Sequence, residues 1–450
     1  LIYLKLYDDL DPELINSFNP LVLRIQKDLE KKGLDVSISP ACRLKSESLK
    51  AVKDFEDQDI DVIVIVHLSY ATSLEATEAL INTEIPIIVF NTSLKYDFSN
   101  DYNWDDVMLN HAIPGVQDMC SVLLRNNKRF LILSGHLNDS EVLDKLNGKI
   151  RSATLKKYLN NTRVGSIGGW FEGMGDFFIE NKTLNKDLGV KVVDADFDDI
   201  KKNIPSPDEL SVKNEIQINE SEFIIDDIPK DRYLDTIRMS LAVRKWLEQE
   251  KINAFTLNFL DFAKDNDFLT VPFLETSKAM ARGVGYAGEG DILTASLIHA
   301  LMGVYSQTSF IEMFCPDWKN DLIFIHHMAE MNINLCKAKP ALVEKDLSIL
   351  GIGKIIFATG QFKEGEATIV DIAPMNNSYS LILSKVEVIT LNKILKEAIA
   401  GWIRPDKPID DFLTDYSEAG GTHHAAIVYG DVVEDLKDFG KILGFNVIEI

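Results

Sequence analysis

Cysteine is scarce in this chain: four in 450 residues, Cys42, Cys120, Cys315 and Cys336, with no CxxC pair among them. That excludes a disulfide framework and a cysteine zinc cluster, and it fits a reducing compartment. Long apolar runs are missing too. None reaches the ~18–20 residues a bilayer crossing demands, and Asp8 and Asp9 interrupt the opening ten residues where a secretory leader keeps its apolar core. A cytoplasmic protein with no membrane partner is expected. Basic residues are also in deficit, 47 against 70 acidic, for a net charge of −23. Such a surface repels polyphosphate backbones, so no nucleic-acid partner is expected. The first position is Leu1 and not Met, which suggests that a few residues are missing or that the numbering starts late. What remains, 46 % hydrophobic and 26 % charged without repeats or low-complexity segments, is the composition of a globular chain long enough for two or three domains.

From residue 1 to about 165, short apolar runs at 1–7, 34–39, 60–68, 85–90, 129–134 and 163–167 alternate with stretches of helical spacing such as 11–32 and 140–159. Val62-Ile63-Val64-Ile65-Val66 is apolar at every position, which suits a strand buried on both faces of a parallel sheet. The pattern continues over 166–308, with strands at 190–193 and 254–259, helices at 231–250 and 291–302, and a polar excursion at 201–219. Beyond 309 the segments lengthen into β-type runs at 354–359, 367–372, 379–389 and 424–429, separated by Gly, Pro and Asn turns and followed by a helix at 432–443 and a strand at 445–450. The expected fold is two doubly wound α/β domains (1–165 and 166–308) followed by a C-terminal antiparallel β-barrel-like domain (309–450). Ligands of such sheets lie beyond the strands' carboxyl ends, which draws attention to the loop after Phe259.

Four stretches set metal-binding residue types among small or irregular neighbours. Gly285-Tyr286-Ala287-Gly288-Glu289-Gly290-Asp291 turns sharply and leaves Glu289 uncrowded before a helix; a plain glycine-rich helix start capped by Asp291 is the other reading. Thr308-Ser309-Phe310-Ile311-Glu312 is the second. In Leu322-Ile323-Phe324-Ile325-His326-His327-Met328 the period of two puts Ile323, Ile325 and His327 on one face and Phe324 and His326 on the other, so at most one histidine faces a given cavity. Gly420-Gly421-Thr422-His423-His424 delivers two adjacent histidines into a strand. A histidine satisfied within a core is the ordinary alternative for each. With Glu289 and His424 135 residues apart, spacing alone does not join the four.

The wording and order of these motifs resemble the L-arabinose isomerase family, which carries a Gly-Glu-Gly-Asp turn, a Thr-Ser-Phe-x-Glu segment, a His-Met strand and a Gly-Gly-x-His-His turn in this sequence. The likeness takes in Asn253-Ala254-Phe255-Thr256 to Phe259 and spans most of residues 250–450. It implies that Glu289, Glu312, His327 and His424 hold one divalent cation, Mn²⁺ with Co²⁺ or Fe²⁺ as alternatives. Two carboxylates and two imidazoles would neutralise a dication and leave two octahedral positions for neighbouring sugar oxygens. It further implies that Glu289 and Glu312 are the acid–base pair moving a proton between C2 and C1 through an enediol. Phe259 would line the pocket of a small sugar substrate. A homo-oligomer, tetramer or hexamer, is implied as well, with N-terminal residues of one subunit completing a neighbour's site.

Two segments depart from the family. Its Gly-Ser-Gln-His after the first strand is replaced by Leu6-Tyr7-Asp8-Asp9-Leu10, and its Leu-Asn-Gln-Thr-x-His-Gly reads Leu109-Asn110-His111-Ala112-Ile113-Pro114-Gly115, so that His111 stands where a substrate-binding glutamine is expected. A site that has lost partners for hydroxyls discriminates strongly, so the expected substrate is a pentose, hexose or deoxy sugar other than L-arabinose. A sugar epimerase on the same metal site, or a non-catalytic sugar-binding protein, are the alternative readings.

Overall fold

Residues that are apolar on both sides have no face to offer solvent, and in the computed structural model, which describes residues 1–98, 102–265, 267–391, 399 and 401–450, they form buried parallel strands. The chain divides into two units, residues 1–157 with 434–444 and residues 158–433 with 445–450. The first is built on β1 (Ile63–Val66), β2 (Ile87–Asn91) and β3 (Leu131–Ser134), parallel and adjacent in that order. Helices such as Ile113–Arg125 and Val142–Asn160 accompany them. The late helix Val433–Leu443 returns to this unit, where Asp435 pairs with Arg151 at 2.6 Å and Asp438 with Lys149 at 2.6 Å.

Two expected strands are absent there. Residues 1–7 contribute a single bridging residue, Ile2, and then enter the helix Lys5–Leu10. Ile2, Tyr3 and Tyr7 are the buried residues of this stretch, a pattern without the strict alternation of a half-buried strand. Residues 34–39 are irregular: Leu34, Val36 and Ile38 line a cavity of about 390 Å³ together with Ile63 and Ile65 of β1, and the segment has no ladder partner among the described residues. The helix expected over 11–32 begins late, at Asn19–Glu30, after the 3₁₀ turn Leu14–Phe18.

The second unit runs in chain order through β4 (Arg163–Ile167), β5 (Lys191–Asp194), β6 (Ile224–Ile225), β7 (Ala254–Leu257), β8 (Gly285–Gly288), β9 (Thr308–Asp317), β10 (Leu322–His326), β11 (Ala341–Asp346), β12 (Lys354–Thr359), β13 (Gly365–Met375), β14 (Ser378–Ile389), β15 (Gly401–Pro405), β16 (His424–Tyr429) and β17 (Asn446–Glu449). A parallel sheet in the order β5-β4-β7-β8 reverses its winding between β4 and β7, and that reversal opens a crevice at the strands' carboxyl ends. The polar excursion is ordered. Its helix Leu210–Glu222 buries Glu215, which meets Arg244 at 2.8 Å and Lys278 at 2.5 Å. Strands β13-β16-β9-β10-β15-β14 close on themselves through the β13–β14 hairpin into a six-stranded antiparallel barrel, with β17 added in parallel at β14. Ile311, Ile325, Ile369, Ile382, Ile403 and Ile427 belong to its core.

Candidate metal centre

Glu289 follows β8 directly with a left-handed backbone, φ +63°, a conformation that costs free energy for any residue but glycine and that collects at functional sites. The turn is pinned from β7. Thr256 Oγ1 accepts from the Gly290 N–H at 2.9 Å and donates to the Gly288 carbonyl at 3.2 Å, while Leu257 O accepts the Glu289 N–H at 3.0 Å. Gly288 matters sterically, since a Cβ there would lie 2.8 Å from Cε1 of His327.

His327 stands one residue past β10, whose register shifts between Phe324 and Ile325. His424 opens β16 opposite Glu312 of β9. One ligand atom each from Glu289, His327 and His424 lies within 4.8 Å of the others. Both histidines are buried. The Nε2 of His424 is buried without a hydrogen-bond partner and sits 3.5 Å from Glu289 Oε2. A bare imidazole nitrogen in the interior is costly unless something binds it. Two imidazoles and a carboxylate converging on one point are a donor set that fits a divalent transition metal.

Behind each imidazole stands a second carboxylate that sequence reasoning did not assign to the site. Asp291, fully buried, takes His424 Nδ1 at 3.0 Å while also capping the helix Ile292–Met302 through the Thr294 N–H at 2.9 Å. Glu330, also buried, takes His327 Nδ1 at 2.7 Å, the Ala329 N–H at 2.9 Å and the Tyr286 hydroxyl at 2.9 Å. Such pairs hold the ring proton on Nδ1, aim Nε2 at the ligand and raise its basicity. The signals are present as Glu289-x-Asp291 and His327-x-x-Glu330, but Asp291 reads as a helix cap and Glu330 carries no reading of its own. Phe310 closes the arrangement, its ring centroid 4.8 Å from that of His327 and 4.9 Å from that of His424.

The other expected residues divide. Glu312 is not in the three-residue group; it lies across from His424 on one side and His326 on the other in the strand register. Burial pushes its carboxyl up, partly countered by the nearby histidines. Burial pushes Glu289 up as well, but the His423, His424 and His327 imidazoles close to it outweigh that, leaving the carboxyl well below the usual range. The one-histidine argument for β10 matches the geometry: His327 joins the group, while His326 bonds the Ile399 carbonyl and stacks on Phe324. Phe259 begins the short helix Phe259–Lys264 beyond β7, in ring contact with Phe171 at 6.1 Å and Phe273 at 5.9 Å. His111 belongs to the first unit, where its Nδ1 lies 3.3 Å from the Tyr7 hydroxyl and its ring stacks on Tyr70.

Comparison with known proteins agrees with this layout. The L-arabinose isomerase central domain matches residues 181–307, and the L-arabinose isomerase C-terminal domain matches residues 307–446. Together they cover more than half of the chain. It belongs to the L-arabinose isomerase family. Among relatives, the L-arabinose isomerase of Flavobacterium johnsoniae is 24 % identical over 389 residues, 82 % of this chain and 73 % of the relative. That of Erwinia tasmaniensis is 25 % identical over 392 residues, 81 % of this chain and 75 % of its own. The Klebsiella pneumoniae L-arabinose isomerase is 23 % identical over 413 residues, 86 % of this chain and 80 % of its own. At these identities the chain is a divergent member of the family, and the segments that hold the three-residue group fall within the matched central and C-terminal domains.

Proposed function

We propose that this protein is an aldose–ketose isomerase acting on a pentose, hexose or deoxy sugar, with Glu289, His327 and His424 holding a divalent cation and Glu312 as the fourth ligand. Mn²⁺ is the proposed ion, with Co²⁺ or Fe²⁺ as alternatives. The observation that carries the reading is the convergence of Glu289, His327 and His424, with the unpartnered Nε2 of His424 at its centre. When bound, the cation supplies Lewis-acid polarisation of the sugar carbonyl and fixed charge for the anion that develops. The chain's own groups move the proton. One glutamate takes the C2 proton of the aldose, the C–H electron pair becomes the C1=C2 bond, and O1 is protonated to give the enediol. Return of a proton to C1 and loss of the O2 proton complete the ketose. Burial that raises Glu312 and imidazoles that lower Glu289 push the two acidities apart, the condition under which one carboxyl gives a proton while its neighbour takes one.

The same reading retains three segments, 1–165, 166–308 and 309–450, supported by the change of family match at residue 307. It includes a cytoplasmic homo-oligomer, tetramer or hexamer, with His111 and Phe259 facing the sugar. The test is a screen of aldoses and ketoses with Mn²⁺, beside Glu289→Gln and Glu312→Gln. Each variant is expected to lose at least ~100-fold in kcat, the scale of general acid–base catalysis. Activity that survives both changes overturns the assigned roles. A C2 epimer as product favours the epimerase, and sugar binding indifferent to EDTA with no turnover favours the binding protein.

A further inference from the structure

The glycine-rich loop after β4, residues 168–178, touches the metal group at two points and its neighbour His423 at a third. The Phe171 N–H donates to the Glu289 carbonyl at 3.0 Å. The Phe177 ring lies flat on His424, centroids 5.3 Å apart and planes at 13°. Asp176 binds His423 twice through the same oxygen: Oδ2 accepts the His423 N–H at 2.9 Å and meets Nδ1 at 2.7 Å. Left-handed glycines bend the loop into place, Gly168 at φ +83°, Gly169 at +70° and Gly173 at +104°. It lies so close to the Glu289 turn that a Cβ on Gly290 would sit 2.5 Å from Gly169 O and Trp170 Cα.

His423 is otherwise lightly held. Its side chain is one-third exposed, and its Nε2 lies 3.6 Å from Glu289 Oε2, beyond good hydrogen-bond length. One oxygen thus holds both the backbone and the ring of His423, the residue between Thr422, which Asp371 anchors at 2.8 and 3.0 Å, and His424, whose Nδ1 Asp291 takes at 3.0 Å. We propose that Asp176 is a positioning residue of this site: by clamping His423 it sets the turn that presents His424 to the cation. The proposal rests on the metal-site reading above.

The test combines Asp176→Ala, Asp176→Asn and His423→Ala in the full chain. Because both bonds end on one oxygen, the asparagine carbonyl can accept both, and the isosteric variant should rescue what alanine loses. In EDTA, amide hydrogen exchange in a peptide spanning residues 418–428 is expected to quicken at least tenfold in Asp176→Ala and less than threefold in Asp176→Asn, with other peptides unchanged. Mn²⁺ affinity is expected to fall at least tenfold in Asp176→Ala and by clearly less when Asp176→Ala is added to His423→Ala, because that variant has already lost the ring half of the clamp and keeps only the backbone N–H half. Independent, multiplying effects of the two alanines overturn the proposal, as does faster exchange throughout the unit or unchanged exchange at 418–428. If wild-type protein binds no Mn²⁺, the metal reading fails while the exchange result still decides the clamp.

Discussion

Glu330 offers the sharpest test of how the imidazoles are held. It is completely buried and accepts from three donors, His327 Nδ1, the Ala329 N–H and the Tyr286 hydroxyl. Glu330→Ala strands all three in the interior, at about 1–3 kcal/mol each, so it is expected to cost at least ~3 kcal/mol of stability. Glu330→Gln separates charge from shape. The bonds to His327 and Ala329 fall on Oε2, so an amide carbonyl in that place keeps both, and the Tyr286 hydroxyl turns round to accept from the amide NH₂. One donor, the Tyr286 hydroxyl, is then left without its acceptor, so the variant should lose about 1–3 kcal/mol and melt well above Glu330→Ala. What it loses is the negative charge that makes His327 a strong ligand, a loss that typically lowers metal affinity 10–100-fold, or about 1.4–2.7 kcal/mol. Calorimetric titration of Mn²⁺ into chelator-stripped protein, with thermal melts in EDTA, reads both quantities. Mn²⁺ affinity within twofold of wild type in Glu330→Gln refutes the reasoning, and so does a melting point as low as that of Glu330→Ala.

The remaining predictions concern the first unit. Burial lowers His67 from 6.5 to about 4, both ring nitrogens lacking a partner; below pH 6.5 the unfolded chain takes up a proton the folded one refuses, so stability falls with pH down to about 4. At about 1.36 kcal/mol per pH unit, urea denaturation should show His67→Gln losing about 2–3 kcal/mol less than wild type between pH 7 and pH 4.5, and equal losses would refute it. His111→Gln restores the amide of the family pattern and, through one hydrogen bond of about 0.5–1.5 kcal/mol, is expected to raise kcat/KM for L-arabinose about 2–10-fold relative to the preferred sugar; an unchanged ratio would remove His111 from the substrate surface.

Much of the fold was legible where one local rule governs one element. Val62-Ile63-Val64-Ile65-Val66 announces a buried strand because every face is apolar, and β1 occupies Ile63–Val66 of it. Residues 34–39 alternate apolar and polar and read as a half-buried strand, but a strand needs a neighbour within hydrogen-bonding distance and this segment has none among the described residues, its Leu34, Val36 and Ile38 lining a cavity instead. The helix over residues 210–222 was hidden for the opposite reason. Its polar residues point inward, with Glu215 and Asn219 buried among Arg244 and Lys278, and composition reads such a stretch as surface.

The group of Glu289, His327 and His424 was legible as residue types but not as a meeting point, since only the barrel register and the β8 turn bring the three together. Asp291 and Glu330 escaped because a carboxylate that orients an imidazole carries no motif of its own. The same blindness applies to the departures from the family pattern. Tyr7 and His111 are distant in the chain, yet the hydroxyl of one lies 3.3 Å from Nδ1 of the other and Tyr70 stacks on the imidazole. The two altered segments are therefore one change in space. Their polar atoms satisfy each other, which leaves less capacity there to bond a hydroxyl than two free glutamine amides would have. A preserved group of ligating atoms in the second unit, together with a self-satisfied aromatic pair in the first, is what a change of sugar, with the chemistry kept, would require.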